Sequence, residues 1–112
     1  MAEQFMEQMA THLREVFPEE TQPWSEERLL KHVTEAAERA SQYGVVLEGD
    51  VQRYLECAVL YGWDFDRAPG SAWARAILED SSLDGVAKMD ALEEYQAAQL
   101  DGPAEENEER HA

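Results

Sequence analysis

The sequence predicts an all-α fold: a small bundle of four to five helices with a disordered acidic C-terminal tail. Three observations predict it. Apolar residues recur at helical spacing in five separate segments. Alternation of apolar and polar residues never persists, and the adjacent Val45, Val46 and Leu47 form only a short run between two helical patterns. Helix-ending residues, Pro18, Gly44 and Gly62, fall between the segments. A chain of 112 residues suits one domain with a single core, here read as 1–100, followed by the tail at 101–112.

The first helix is expected over 2–16. Phe5, Met9, Leu13 and Val16 repeat on one face, Met6 and Phe17 widen it, and Pro18 closes it because the residue before a proline resists the α conformation. Residues 19–23 read as a polar linker. The second helix, 26–43, has Ser25 as N-cap, Glu26 and Glu27 at the positive end of its dipole, and Trp24 and Leu29 at hydrophobic-staple spacing. Its apolar face is Leu29, Leu30, Val33, Ala36, Ala37, Ala40 and Tyr43, and Gly44 is the left-handed stop.

The third helix, 48–61, carries Val51, Tyr54, Leu55, Ala58, Val59 and Tyr61. It is apolar over much of its circumference, which suits a central position. The loop at 63–70 (WDFDRAPG) is aromatic and acidic, with Trp63 and Phe65 expected to point inward and anchor it. Ser71 caps a short fourth helix, 72–79, whose stripe is Trp73, Ala76, Ile77 and Leu78. The fifth helix, 83–99, turns Leu83, Val86, Met89, Leu92 and Tyr95 inward, and Gly85 weakens its first turn. The second and third helices are expected at the centre, with the fourth and fifth packed across them.

Twenty-five acidic side chains stand against nine basic ones, a net charge of −16. Five acids and one arginine lie in the tail, so most of the acidity belongs to the folded part. No cationic surplus exists to displace counterions from nucleic acid or to hold an anionic membrane. Solubility and a basic protein partner are favoured instead. The single cysteine, Cys57, and the absence of a basic, apolar leader at residues 1–17 make the cytoplasm the expected compartment. The longest apolar runs, such as 57–61, are too short to span a bilayer. A bundle this small can homodimerise through an uncovered apolar stripe, which the charge opposes at low salt.

No catalytic constellation is visible. His12, His32 and His111 lie in three different segments without ligand-pair spacing, and Cys57 has no neighbouring cysteine, so neither a metal nor a cofactor is expected. Asp64 and Asp66 flank Phe65 but lack the remaining ligands of a calcium loop. The plainer role for them is capping local amides. A hydrolase built on them would need a cleft holding both. Cys57 lies mid-helix, where a small buried hydrophobe is the simpler role. Trp24, after the polar linker, is the tryptophan expected to stay partly exposed and to contact a partner. Phe5, Met6 and Met9 form a second candidate contact, unless the first helix simply completes the bundle. Dense carboxylates, among them Glu26, Glu27, Glu35, Glu38, Glu93 and Glu94, would also suit an acidic nucleic-acid mimic that inhibits a DNA-binding protein, provided they form one stripe.

Four motifs in order suggest a relationship. They are Tyr43–Gly44–Val45, then Asp50 to Tyr54 (DVQRY), then Gly62 to Asp66 (GWDFD), then Trp73 to Leu78 (WARAIL). Across about residues 25–95 the set resembles small acidic helical proteins of Gram-negative bacteria encoded beside type VI secretion spike and effector genes. One departure is Leu47, where a serine or threonine cap would be expected. The resemblance implies a non-enzymatic accessory protein whose partner is a cognate effector or toxin, bound as adaptor or chaperone or neutralised as by an immunity protein. It also implies that Asp64, Phe65 and Asp66 act as a fixed loop, with Arg53 or Arg67 as ion-pair partner.

Overall fold

A computed structural model describes the backbone of residues 3–111 and the side chains of residues 4–98. Among the described residues it contains six α-helices, one 3-10 turn and no strand. The helices are α1 (Glu3–Val16), α2 (Pro18–Thr21), α3 (Glu26–Gln42), α4 (Glu48–Tyr61), α5 (Ala72–Leu78) and α6 (Gly85–His111), and the 3-10 turn is Pro69–Ser71. The chain is therefore all-α, as its periodicity predicts. The tail expected over 101–112 falls on residues whose side chains lie outside the described set.

Local signals explain most boundaries. The Ser25 hydroxyl accepts from the Arg28 amide at 3.1 Å and caps α3. At the other end Gly44 has φ +83°, and the Val45 amide reaches back to the Ala40 carbonyl at 2.9 Å. α4 starts at Glu48, as expected, although Leu47 offers no side-chain cap. The expected linker at 19–23 is partly helical instead. Pro18 ends α1 but also opens α2, since a missing N–H costs nothing in a first turn. Thr21 closes that turn with its amide and hydroxyl on the Phe17 carbonyl, at 3.1 and 2.8 Å, and is buried.

The core sits where α1, α3 and α4 meet, and α6 packs on α4 and carries α5. Leu13, Leu29, Val33, Val51, Tyr54, Leu55, Met89 and Leu92 are fully enclosed there. Three expected inward residues face out: Val16, Ala76 and Val86. Val16 is the last residue of α1, and Phe17 beyond it packs on the core in its place. In α5 the buried pair is Ala74 and Leu78, four residues apart on one face, and Ala76, two residues from each, falls on the opposite face. In α6 Lys88 is buried, its Nζ donating to the Tyr43 carbonyl at 2.7 Å. That contact places an ammonium at the negative end of α3. It turns this face of α6 toward the α3–α4 turn and leaves Val86 outside. No described helix is long and apolar enough to cross a membrane.

Candidate functional site

The loop after α4 is built around a buried carboxylate. Gly62, at φ +113°, ends α4. The amides of Arg67 and Ala68 then turn onto the Asp64 carbonyl at 2.8 and 2.9 Å. Phe65 goes inward, its ring 5.0 Å from that of Tyr54 and 6.5 Å from that of Tyr61. Asp66 is wholly buried. The Tyr43 hydroxyl donates to its Oδ2 at 2.8 Å. Arg39 Nε lies 3.3 Å from its Oδ1 but off the N–H axis, so the two atoms form a charge contact without a hydrogen bond. Arg39 also donates to the Trp63 carbonyl. One arginine on α3 thus holds both ends of the WDFD segment.

Burial and then the bond to Asp66 push the Tyr43 phenol up to about 12. Burial, followed by the Asp66 charge, also raises the Tyr54 phenol. The Tyr54 hydroxyl is enclosed with no hydrogen-bond partner among the described residues. Asp64 behaves differently: its side chain is 72% exposed and accepts from Arg67 at 3.0 Å. One aspartate faces the core and the other faces water. The two do not share a cleft, so a hydrolase built on the pair has no geometric basis.

Arg53 is committed elsewhere. It reaches Asp50 Oδ1 at 2.9 Å, Asp90 Oδ1 at 2.7 Å, and both oxygens of Glu93 at 2.8 and 3.0 Å. This fork ties α4 to α6, so Arg53 is a staple of the bundle. Of the two expected ion-pair partners for the loop, Arg67 takes Asp64 and Arg53 takes none of the loop. Arg39, on α3, is the residue anchoring the loop that sequence reasoning missed. Its only sequence signal is its place four residues before Tyr43, on the same helical stripe.

The expected partner-contact residues separate into two groups. Phe5, Met6 and Met9 are buried in the core cluster, and so is Phe65. The first helix therefore completes the bundle, because its stripe covers α3 and α4. Trp24 is half-buried, as expected, and Asp64 is exposed. Trp24 stands edge-on to His32 at 4.5 Å, His32 stacks on Trp63 at 5.2 Å, and the Arg28 guanidinium lies 5.6 Å from the Trp24 ring. Cys57 is buried, and burial, ahead of the nearby Glu93 and Glu56 charges, pushes its thiol up to about 11. That thiol is poorly suited to nucleophilic work near neutral pH.

A groove of about 590 Å³ runs between α1 and the start of α3. Ala10, Leu29 and Leu30 form its apolar part, and Glu7, Glu15, Glu26 and Glu27 line its rims with Thr11 between them. Arg14, at one end, donates to the carbonyls of Thr21 and Trp24. The sequence does not display this groove, because it forms only when two helices distant in sequence are set side by side. Among the described residues, no group of three or more His, Cys, Asp or Glu side chains is placed to hold a metal ion.

Fold and site together define a small acidic helical bundle with a loop pinned by a buried Arg–Asp contact and an acid-rimmed groove between α1 and the start of α3. Comparison with protein-family models, curated proteins and solved structures found no match.

Proposed function

We propose that this chain is a non-enzymatic accessory protein that binds a basic protein partner through its acidic surface. In the setting that the motif resemblance implies, the partner is an effector or toxin of a type VI secretion module, and the chain is its adaptor, chaperone or immunity protein. One observation carries the reading: the described cations are largely committed inside the molecule. Arg39, Arg53, Arg67 and Arg75 contact carboxylates of the same chain. Arg14 and Lys88 donate to backbone carbonyls, and Arg28 lies over Trp24. Glu7, Glu15, Glu19, Glu20, Glu26, Glu27, Glu35 and Glu38 are exposed and in no ion pair among the described residues. That unmatched negative surface steers and selects a cationic partner.

Imitation of a nucleic acid is less well supported. It asks for one continuous carboxylate stripe, and Arg53 neutralises the acids where α4 meets α6. Co-expression with the polypeptide encoded beside it, followed by co-purification and size-exclusion chromatography, tests the proposal. A stable complex that dissociates in high salt supports it, and failure of any complex to form overturns it.

A further inference from the structure

The groove between α1 and α3 has a definite shape and a definite chemistry. Its apolar part is narrow, with Ala10 and Leu30 half-buried beside the enclosed Leu29. Glu7, Thr11 and Glu15 follow one another at four-residue intervals along a single stripe of α1. Glu26 and Glu27 face them from the first turn of α3. All four carboxylates are exposed, and none is in an ion pair among the described residues. Arg14, the one cation lining the groove among the described residues, is turned onto the carbonyls of Thr21 and Trp24. At about 590 Å³ the groove lies within the ordinary range of binding clefts, roughly 300–1,000 Å³. It can take a few side chains of a ligand, not a whole domain.

We infer that this groove is the docking site for a basic amphipathic helix of the partner. Aliphatic side chains one helical turn apart seat against Ala10 and Leu30, and lysines or arginines on either flank reach the two glutamate rims. Charge complementarity selects this occupant over a second copy of the chain, whose net charge of −16 would be brought against the same rims. The inference rests on the proposed function and supplies its location.

The test uses the full chain and a labelled amphipathic Leu–Lys peptide of about 14 residues, with leucines at helical spacing, read by fluorescence anisotropy. A second peptide keeps every lysine and replaces each leucine by serine. The groove variant is Glu7→Gln, Glu15→Gln, Glu26→Gln and Glu27→Gln combined. The matched variant, with the same change of charge, is Glu35→Gln, Glu38→Gln, Glu48→Gln and Glu94→Gln. A third variant, Thr11→Arg, places a cation between the rims at an exposed position that folding does not depend on. The groove variant and Thr11→Arg are expected to weaken binding about tenfold or more, from several lost exposed ion pairs. The matched variant should lose less than half that factor, and the serine peptide should bind weakly throughout. Equal losses in the two quadruple variants would overturn the groove while leaving an acidic binding surface in place. No binding of the Leu–Lys peptide to the wild-type chain would overturn both.

Discussion

Gly85 opens α6 at the point where that helix meets the α3–α4 turn, and replacing it tests the packing there. A Cβ built on Gly85 would lie 2.4 Å from the Gly44 carbonyl oxygen and 3.1 Å from the Val45 Cα. An ordinary carbon–oxygen contact is about 3.3 Å or longer, so the helix or the turn must move by nearly 1 Å. The turn is not free to retreat. Gly44 holds a left-handed conformation, and the Val45 amide is bonded to Ala40 at 2.9 Å. The helix is held as well, because Lys88 donates to the Tyr43 carbonyl at 2.7 Å and Met89 and Leu92 are enclosed behind it. Overpacking of this kind costs about 1–3 kcal/mol. Alanine recovers at most about 1 kcal/mol of helix propensity. The net loss for Gly85→Ala is then about 0–2 kcal/mol against wild type, and about 1–3 kcal/mol, or roughly 4–20 °C in Tm, against a Gly→Ala change that meets no neighbour. Gly49→Ala is the control: it lies in the first turn of α4 with nothing within 4 Å of its Cβ, so stability should hold or rise by up to about 1 kcal/mol. Thermal and urea denaturation followed by circular dichroism read both. A Gly85→Ala protein as stable as the Gly49→Ala protein would refute the close approach of α6 to the turn.

Two further outcomes follow from the buried loop anchor. Asp66→Ala leaves Arg39 and the Tyr43 hydroxyl enclosed without their carboxylate, and should cost about 3–5 kcal/mol in urea denaturation. Asp66→Asn keeps an acceptor for Tyr43 and should cost less, and equal costs would mean that the buried charge is irrelevant. The raised Tyr43 phenol contributes to the alkaline limit. It stays protonated in the folded chain up to about 12 and ionises near 10 when unfolded. Its contribution is therefore complete below about pH 10 and lost as pH rises toward 12. Part of the tyrosinate absorbance at high pH should appear only together with loss of helicity, and full ionisation of all four tyrosines in a still-helical protein would contradict the burial.

What the sequence discloses and what it conceals divide along chain separation. Ser25, Gly44 and Gly62 act on their own few neighbours, so these three can be read directly, whereas Ser71, expected to cap the fourth helix, makes no side-chain cap bond. The stripe of α3 is legible because seventeen residues give the helical period room to declare itself. Helix ends are less so: Val16 and Val86 fit the period yet face water, since Phe17 and Lys88 take the inward places. Pro18 was legible as a stop but not as the start of α2, because both roles use the same constraint. The pairing of Arg39 with Asp66 joins residues on different elements, and neither residue announces it. The same holds for the groove, whose two rims come from separate helices. The resemblance implies Arg53 or Arg67 as the ion-pair partner of the loop; Arg67 meets Asp64, and Asp66 is met by Arg39 instead.

The most direct measurement is the affinity of the chain for the polypeptide that the co-expression experiment tests, taken by isothermal titration at low and at high sodium chloride. An acidic surface that binds through unmatched glutamates requires the affinity to fall by about tenfold or more as salt rises, because exposed charge contacts are screened. Tight binding that is indifferent to salt would contradict it and place the interface on the exposed apolar side chains instead.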